Sequence, residues 1–427
     1  MTEFVDVSLW GENIGVLTWD KNRDIAIFQY TSDFVSKGLN IAPFAMPLSL
    51  NPYLFSENKN NCFKGLPGLI ADALPDNYGS QIIESWFQSK GYNLTNITPL
   101  DQLCYVGSRG MGALDFKPSL DNKLLDISST FEINKLVELA QQTLNNRKLF
   151  QTLWASEDPT LLDLIRVGTS AGGAKPKAII AYNKKTKEVR SGQVKAPKDF
   201  EYFLLKFDGF SEVNYNDNSL GVGAIEYAYY LMAKDCGIKM MQSELVKEDK
   251  QAHFMTKRFD RTDDGEKVFV QTLAAIGHLN RDIPQSYETM LRLMRGLGMP
   301  HIDFEEMFKR IVFNVVSRNH DDHTKNHSFI MSKKGEWRLA PAYDLMYSNS
   351  PKSKWTAQHQ MSVNGKRSDF SWSDLISFGK TADIHNPNHI IEQVVEVISK
   401  WGVYANSVSV EVKLIEEIQK NLLLIKK

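Results

Sequence analysis

The feature that most constrains this sequence is an apolar stripe that stops abruptly at a polar octet. Phe304, Met307, Phe308, Ile311, Val312, Val315 and Val316 fall at i, i+3, i+4, i+7, i+8, i+11 and i+12, which is one face of a helix. Asp303 with Glu306 three residues later has the spacing of an N-cap. A helix with that face must run into a core, and it delivers the next segment at its C-terminal end. That segment is Asn319-His320-Asp321-Asp322-His323-Thr324-Lys325-Asn326. Beyond it, Ser328–Met331 and Glu336–Leu339 flank Lys333-Lys334-Gly335 in the manner of a β-hairpin. The hairpin should return the chain so that Asp344 comes back close to Asn326.

That geometry has a chemistry. A phosphotransferase needs a carboxylate to orient or deprotonate the acceptor hydroxyl, and hard oxygen ligands to hold Mg2+ on the nucleotide phosphates. Asp321 fits the first role, and Asn326 with Asp344 the second. A solvated turn after a buried helix would explain any one of these residues alone; the constellation favours phosphoryl transfer. His320, His323 and His327 would suit a transition metal only on a helix, and the segment reads as a loop without His-Glu-x-x-His, so zinc is not expected.

Other stretches give the order of parts. Phe4–Trp10, Ile14–Trp19 and Ile25–Tyr30 cluster β-formers around Gly11-Glu12-Asn13 and Lys21–Asp24, an antiparallel meander. Ile41–Leu50 is broken by prolines and cannot be helix, whereas Ser80–Gln88 is amphipathic. Val106–Phe116 is a glycine-rich turn entering a strand; it could cradle a phosphate, but turns between strands commonly look the same. Thr130–Leu144 reads as a connecting helix. Val167–Lys177 carries Thr169, Ser170, Ala171, Gly172, Gly173 and two lysines, and leads into the strand Ala178–Tyr182. Its amide groups and lysines suit a polyphosphate, and a hairpin turn explains it equally well. It is not a Walker loop, because Ala174 stands where the lysine belongs and Pro176 would spoil the helix. Tyr202–Phe207 is a hydrophobic strand carrying Lys206, and the helix Ala224–Ala233 has Glu226 near its start, the order of a kinase's strand lysine and helix glutamate. His253–Arg261 is a strand ending in charge where an adenine hinge would lie. Trp355, Trp372 and Trp401, with helices over Ile390–Lys400 and Val410–Leu424, read as packing of a helical lobe.

Composition sets bounds. A net charge of −1 gives no reason to expect a dedicated nucleic-acid binder. Cys62, Cys104 and Cys236 are isolated, which suits a reducing compartment. Met1–Asp6 does not open a secretory leader, and no stretch reaches the length of a membrane span, so a cytoplasmic protein without membrane contact is expected.

The chain resembles the HipA family of toxin serine/threonine kinases over nearly its whole length. Ser170–Lys177, Leu205-Lys206, Lys257-Arg258-Phe259-Asp260-Arg261, Asn319-x-Asp321-x-His323-x-Lys325-Asn326 and Ala340-Pro341-x-Tyr343-Asp344 carry the resemblance in the core. Gly15–Leu17, Met46–Leu50, Leu74–Asp76 and Val106-Gly107 with Met111–Leu114 carry it near the N-terminus. It implies an α+β chain: an N-terminal β-rich subdomain over 1–125, then a two-lobed protein-kinase-like core with its N-lobe over 126–262 and a helical C-terminal lobe over 263–427. It implies ATP and Mg2+ as cofactors and Asp321 as catalytic base, with Asn326 and Asp344 on the metal. Lys206, Ala171, Gly172, Gly173, Lys257, Arg258, Phe259, His323 and Lys325 would bind ATP, and Glu226 would pair with Lys206. Autophosphorylation at Ser170, or at the adjacent Thr169, would restrain the kinase. Lys257 departs from relatives that carry an acidic residue there; backbone reading of adenine tolerates the change. Implied partners are a HipB-like DNA-binding antitoxin, operator DNA mainly through that antitoxin, and a protein substrate such as an aminoacyl-tRNA synthetase. Two rivals stand beside this: a kinase-fold enzyme for a small molecule, and a non-catalytic antitoxin-binding co-repressor.

Overall fold

The N-terminal β-formers build a five-stranded sheet in the computed structural model, which describes residues 2–119, 130–138, 167–168, 176–209, 221–248 and 251–427. Strands β1 (Phe4–Leu9), β2 (Glu12–Asp20) and β3 (Ile25–Tyr30) form the expected antiparallel meander, extended by β4 (Tyr53–Leu54) and β5 (Leu114–Lys117) in the order β4-β3-β2-β1-β5. The first turn is tighter than expected: Leu9 pairs with Glu12, and Trp10 and Gly11 turn the chain with φ of 51° and 85°. Helices Asn77–Ser89 and Pro99–Val106 come next, the second opened by a capping box between Thr98 and Asp101.

The chain divides into two compact units, Met1–Leu220 with Val246–Val270, and Gly221–Leu245 with Gln271–Lys427. The first also holds a six-stranded sheet. Its strands are β6 (Thr130–Phe131), β7 (Lys177–Tyr182), β8 (Val189–Ser191), β9 (Glu201–Lys206), β10 (Ser243–Glu248) and β11 (Gln251–Lys257), in the order β10-β11-β9-β7-β8-β6. The connecting helix expected from Thr130 therefore begins later: Thr130–Phe131 pair with β8, and residues 133–138 are helical. The rest of that helix, and Thr169–Lys175 with Ser170, Ala171, Gly172 and Gly173, lie outside the described residues.

The residues that follow β11 form a buried polar cluster. Asp260 is buried and takes both Nε and Nη2 of Arg258 at 2.8 and 2.7 Å, Nη1 of Arg261 at 2.8 Å and the Gly112 N–H at 2.9 Å. The two arginines spend their other donors on backbone: Arg258 on Gly192 O, Arg261 on Gly110 O and Gly112 O. Gly192 is required where it is, since a Cβ there would meet Ile180 backbone at 2.5 Å. The glycine turn of Val106–Phe116 is thus clamped to Asp260 and Arg261; its backbone groups serve the fold.

In the second unit the stripe forms the helix His301–Ser317, and Phe304, Met307, Phe308, Ile311, Val312, Val315 and Val316 are all buried. Around it stand the helices Val222–Asp235, Tyr287–Gly296, Trp372–Thr381, Pro387–Ser399, Trp401–Ser407 and Val412–Asn421. Tyr229 meets Trp401 and Phe313 edge-on, with ring centres 5.4 and 6.0 Å apart, and gives its hydroxyl to Ser317 O at the helix end. The expected N-cap is corrected: Pro300 precedes the helix and makes no side-chain cap bond. Asp303 instead takes Arg338 Nε and Nη2 at 2.7 and 3.0 Å, tying the helix to the hairpin Ser328–Met331/Trp337–Leu339. Glu306 takes Arg310 and the Lys239 N–H. Trp355 also departs from expectation, being 43% exposed where Trp401 is fully buried.

Asp260 yields a prediction. Burial alone would raise its pKa; Arg258, Arg261 and the hydrogen bonds reverse this and hold it well below the usual carboxylate range. A depressed carboxylate stabilises the fold fully above the unfolded pKa, about 4, and loses that contribution as pH falls below it. Asp260→Asn should therefore cost about 3–5 kcal/mol near neutrality, since it leaves buried guanidinium groups without their anion. Urea midpoints of the two proteins should keep a constant gap down to about pH 4 and converge below it.

Candidate active site

The polar octet begins where the buried helix stops. Arg318 ends the helix in the left-handed region, φ 60°, and the Asn319 N–H closes back on Asn314 O at 2.9 Å. Asn319 Nδ2 then donates to Asn314 Oδ1 at 3.0 Å and to Asp344 O at 3.4 Å, so one amide joins the helix end to the backbone of Asp344. Asp344 itself has φ 52°, a conformation that costs a non-glycine residue about 1 kcal/mol or more and that concentrates at functional positions.

His323 caps the short turn Thr324–Asn326: its Nδ1 accepts from the Lys325 N–H at 3.2 Å, and its carbonyl from the Asn326 N–H at 2.9 Å. With Nδ1 accepting, Nε2 carries a proton and lies 3.7 Å from Asp321 Oδ1. Asn326 Nδ2 donates to Asp321 O at 2.7 Å, which directs its amide oxygen away from that carbonyl. Lys325 O receives the Tyr343 hydroxyl at 2.8 Å, holding the foot of the hairpin to the loop. Asn326 and Asp344 line one small polar cavity with Asn314, Asn319 and Asp322, so the hairpin does return Asp344 beside Asn326.

The two adjacent aspartates differ completely. The side chain of Asp321 is 33% exposed, whereas that of Asp322 is fully buried. Asp322 Oδ1 takes the N–H groups of Gln360 and Met361 at 2.7 and 3.2 Å, and Oδ2 takes the Tyr287 hydroxyl at 2.7 Å and His359 Nδ1 at 2.9 Å. Burial would raise its pKa; His359 and Tyr287 overcome that and lower it. A carboxylate so satisfied has nothing left for a hydroxyl or a cation. His320 and His327 are pushed down to about 4, chiefly by burial, so both rings are neutral. No zinc-type grouping of His, Cys, Asp or Glu occurs among the described residues.

In the first unit Lys206 stands directly across from Lys177 on the neighbouring strand, and its Nζ lies 5.8 Å from the Phe254 ring centre. Directly opposed residues share a sheet face. Lys177 is the residue the sequence underrated: its place in the glycine-rich stretch was visible, its register against Lys206 was not. Lys257 Nζ pairs with Glu201 at 2.9 Å and Asp263 at 2.6 Å. Arg258 gives its guanidinium to Asp260 and its N–H to Tyr202 O, so both of these groups are committed to the fold. Glu226 is buried on the helix Val222–Asp235 and belongs to the second unit, whereas Lys206 belongs to the first.

Residues 169–401 match the HipA-like C-terminal domain and residues 5–117 the HipA N-terminal domain. The serine/threonine-protein kinase toxin HipA of Shewanella oneidensis is 23% identical over 360 residues, covering 78% of this chain and 72% of that protein. In the complex of Shewanella oneidensis HipA with HipB and operator DNA, HipA superposes with a TM-score of 0.67 at 17% identity, over 98% of this chain and 96% of that one. The likeness is one of fold: α+β, β-rich toward the N-terminus and helical toward the C-terminus. Among the described residues no helix is long and apolar enough to cross a membrane.

The neutral histidines make the loop acid-sensitive. Their folded pKa, about 4, lies below the unfolded value of about 6.5, so their neutral burial is fully stabilising above about pH 6.5 and is lost as pH falls toward 4. At 1.36 kcal/mol per unit this amounts to about 3 kcal/mol for each ring. Urea midpoints should fall steeply between about pH 6.5 and 4.5, and His327→Gln should flatten that slope.

Proposed function

Because the chain belongs to the HipA family, we propose that it is a Mg-ATP-dependent serine/threonine protein kinase acting as the toxin of a toxin–antitoxin pair. What supports this most is the end of the helix His301–Ser317, where two amide-to-backbone hydrogen bonds, Asn326 Nδ2 to Asp321 O and Asn319 Nδ2 to Asp344 O, hold Asp321, Asn326 and Asp344 while Asp322 is saturated. Asp321 then orients the substrate serine or threonine hydroxyl and accepts its proton as the oxygen attacks the γ-phosphorus and ADP leaves. The hard oxygens of Asn326 and Asp344 suit Mg2+, which when bound neutralises charge on the phosphates. Lys206 and Lys177 hold phosphate oxygens, and Ala171, Gly172 and Gly173 offer backbone N–H groups. His323 and Lys325 shape the nucleotide side of the loop. The adenine edge falls to the Lys257–Phe259 backbone.

Phosphate on Ser170 would add roughly two negative charges beside the phosphate-binding backbone and so restrain the enzyme. The similar Shewanella protein is found with HipB and operator DNA, which supports a HipB-like antitoxin and DNA contact mainly through it. The protein substrate is a serine or threonine protein, with an aminoacyl-tRNA synthetase as the first to test.

Incubation with Mg-ATP followed by intact-mass measurement should add phosphate to wild type. Asp321→Ala should lower the rate about 100-fold or more, the scale of a lost general base. Ser170→Ala should gain none at that position and should arrest growth more strongly than wild type. Equal phosphate gain in Asp321→Ala would remove Asp321 as the base. Label from ATP appearing only in small metabolites of a lysate would overturn the protein-kinase assignment.

A further inference from the structure

Asp322 sits beside the proposed base, yet the phosphoryl chemistry gives it no role. Its four hydrogen bonds have a direction. Through Gln360, Met361 and His359 it grips the segment C-terminal to Asp344; through Tyr287 it grips the helix Tyr287–Gly296. The Tyr287 hydroxyl in turn receives Asn314 Nδ2 at 3.1 Å, Asn314 Oδ1 receives Asn319 Nδ2, and Asn319 Nδ2 reaches Asp344 O. A continuous line of polar contacts, buried except for its half-buried last link, therefore runs from Asp322 to the backbone of Asp344.

The same two stretches are fastened again through their backbones. Asn319 bridges Ser348 in parallel, the His320 N–H donates to Ser348 O at 3.1 Å, and the Ser348 N–H to Arg318 O at 3.0 Å. Further along, His320 Nδ1 donates to Thr356 O at 2.9 Å, and the Gln360 N–H to His320 O at 3.3 Å. Asp321 is thus pinned on both sides, by Asp322 within the loop and by Asn326 Nδ2 at its own carbonyl. Its side chain remains partly exposed.

We infer that Asp322, Tyr287 and His359 are positioning residues that lock the Asp321 loop in register with Asp344 through the Asn314–Asn319 relay. The inference rests on the kinase assignment for its effect on turnover, and on the hydrogen-bond line alone for its effect on the loop. Since catalysis falls steeply when a reacting group is misplaced by about 1 Å, breaking the line should lower turnover while leaving nucleotide affinity nearly intact.

Tyr287→Phe removes the shared hydroxyl with the least change of volume. Working well below the melting temperature, it should lower kcat about tenfold or more and leave KM for ATP within about twofold. Amide exchange should quicken at residues 319–326 and 344–348 and stay unchanged within 304–313. His359→Asn, which can still offer a donor near the Nδ1 position, should retain more turnover than His359→Leu. A lowered melting temperature with kcat unchanged would make the cluster a stabilising element only and overturn the inference, as would equal losses in the two His359 variants. If wild type transfers no phosphate, the kinase assignment falls by itself; faster exchange at 319–326 in Tyr287→Phe would still support the lock, and unchanged exchange would overturn it.

Discussion

Burial of the apolar face of His301–Ser317 is the constraint on which the second unit depends. Each fully buried large aliphatic or aromatic side chain is worth about 1.5–3 kcal/mol in transfer from water, and seven line this face. The helix also carries buried polar groups, Asp303, Glu306, Arg310 and Asn314, which would be liabilities without partners. Each has a partner set by the apolar register: Arg338 for Asp303, Lys239 N–H and Arg310 for Glu306, Tyr287 for Asn314. Rotating the helix to expose a stripe residue would break these bonds together. The active-site loop inherits that rigidity because it starts at the last turn.

Each unit uses one buried carboxylate to gather segments far apart in sequence. Asp260 collects two arginines and the Gly112 N–H, 148 residues away. Asp322 collects Tyr287, His359 and two backbone N–H groups. The chemistry differs in a telling way. Asp260 is matched by formal positive charge, which suits a structural clamp. Asp322 is matched by a phenol, a histidine and two peptide N–H groups, and so fastens a loop to two neighbouring segments.

The amphipathic helix, the hairpin and the N-terminal meander were legible because periods of 3.6 and 2 are written locally. The candidate site was legible to the same degree, as far as one loop and one hairpin return reach. Partner identity at long range could not be read. Nothing in Val106–Phe116 reveals that its amides and carbonyls belong to Asp260 and Arg261 rather than to a phosphate. Nothing in Asp303 or Glu306 separates a helix cap from a tertiary ion pair. Arg258 stands where an adenine hinge would lie; only the structure shows that its guanidinium is committed to Asp260. Lys177 and Lys206 are 29 positions apart, and their opposition depends on strand register, which sequence specifies only weakly.

The Asp321-Asp322 doublet shows why such long-range facts decide function. Two identical side chains in adjacent positions carry the same local information, yet backbone alternation sends them to opposite environments. The one turned inward is consumed by four donors; the one turned outward keeps a carboxylate that water and a hydroxyl can reach. The outward residue is half-buried, with His323 Nε2 3.7 Å from its Oδ1. Its precision is borrowed from the inward one, whose saturation is incompatible with chemistry of its own. One carboxylate fixed and one carboxylate available is what a base on a loop requires, and neither residue could supply both.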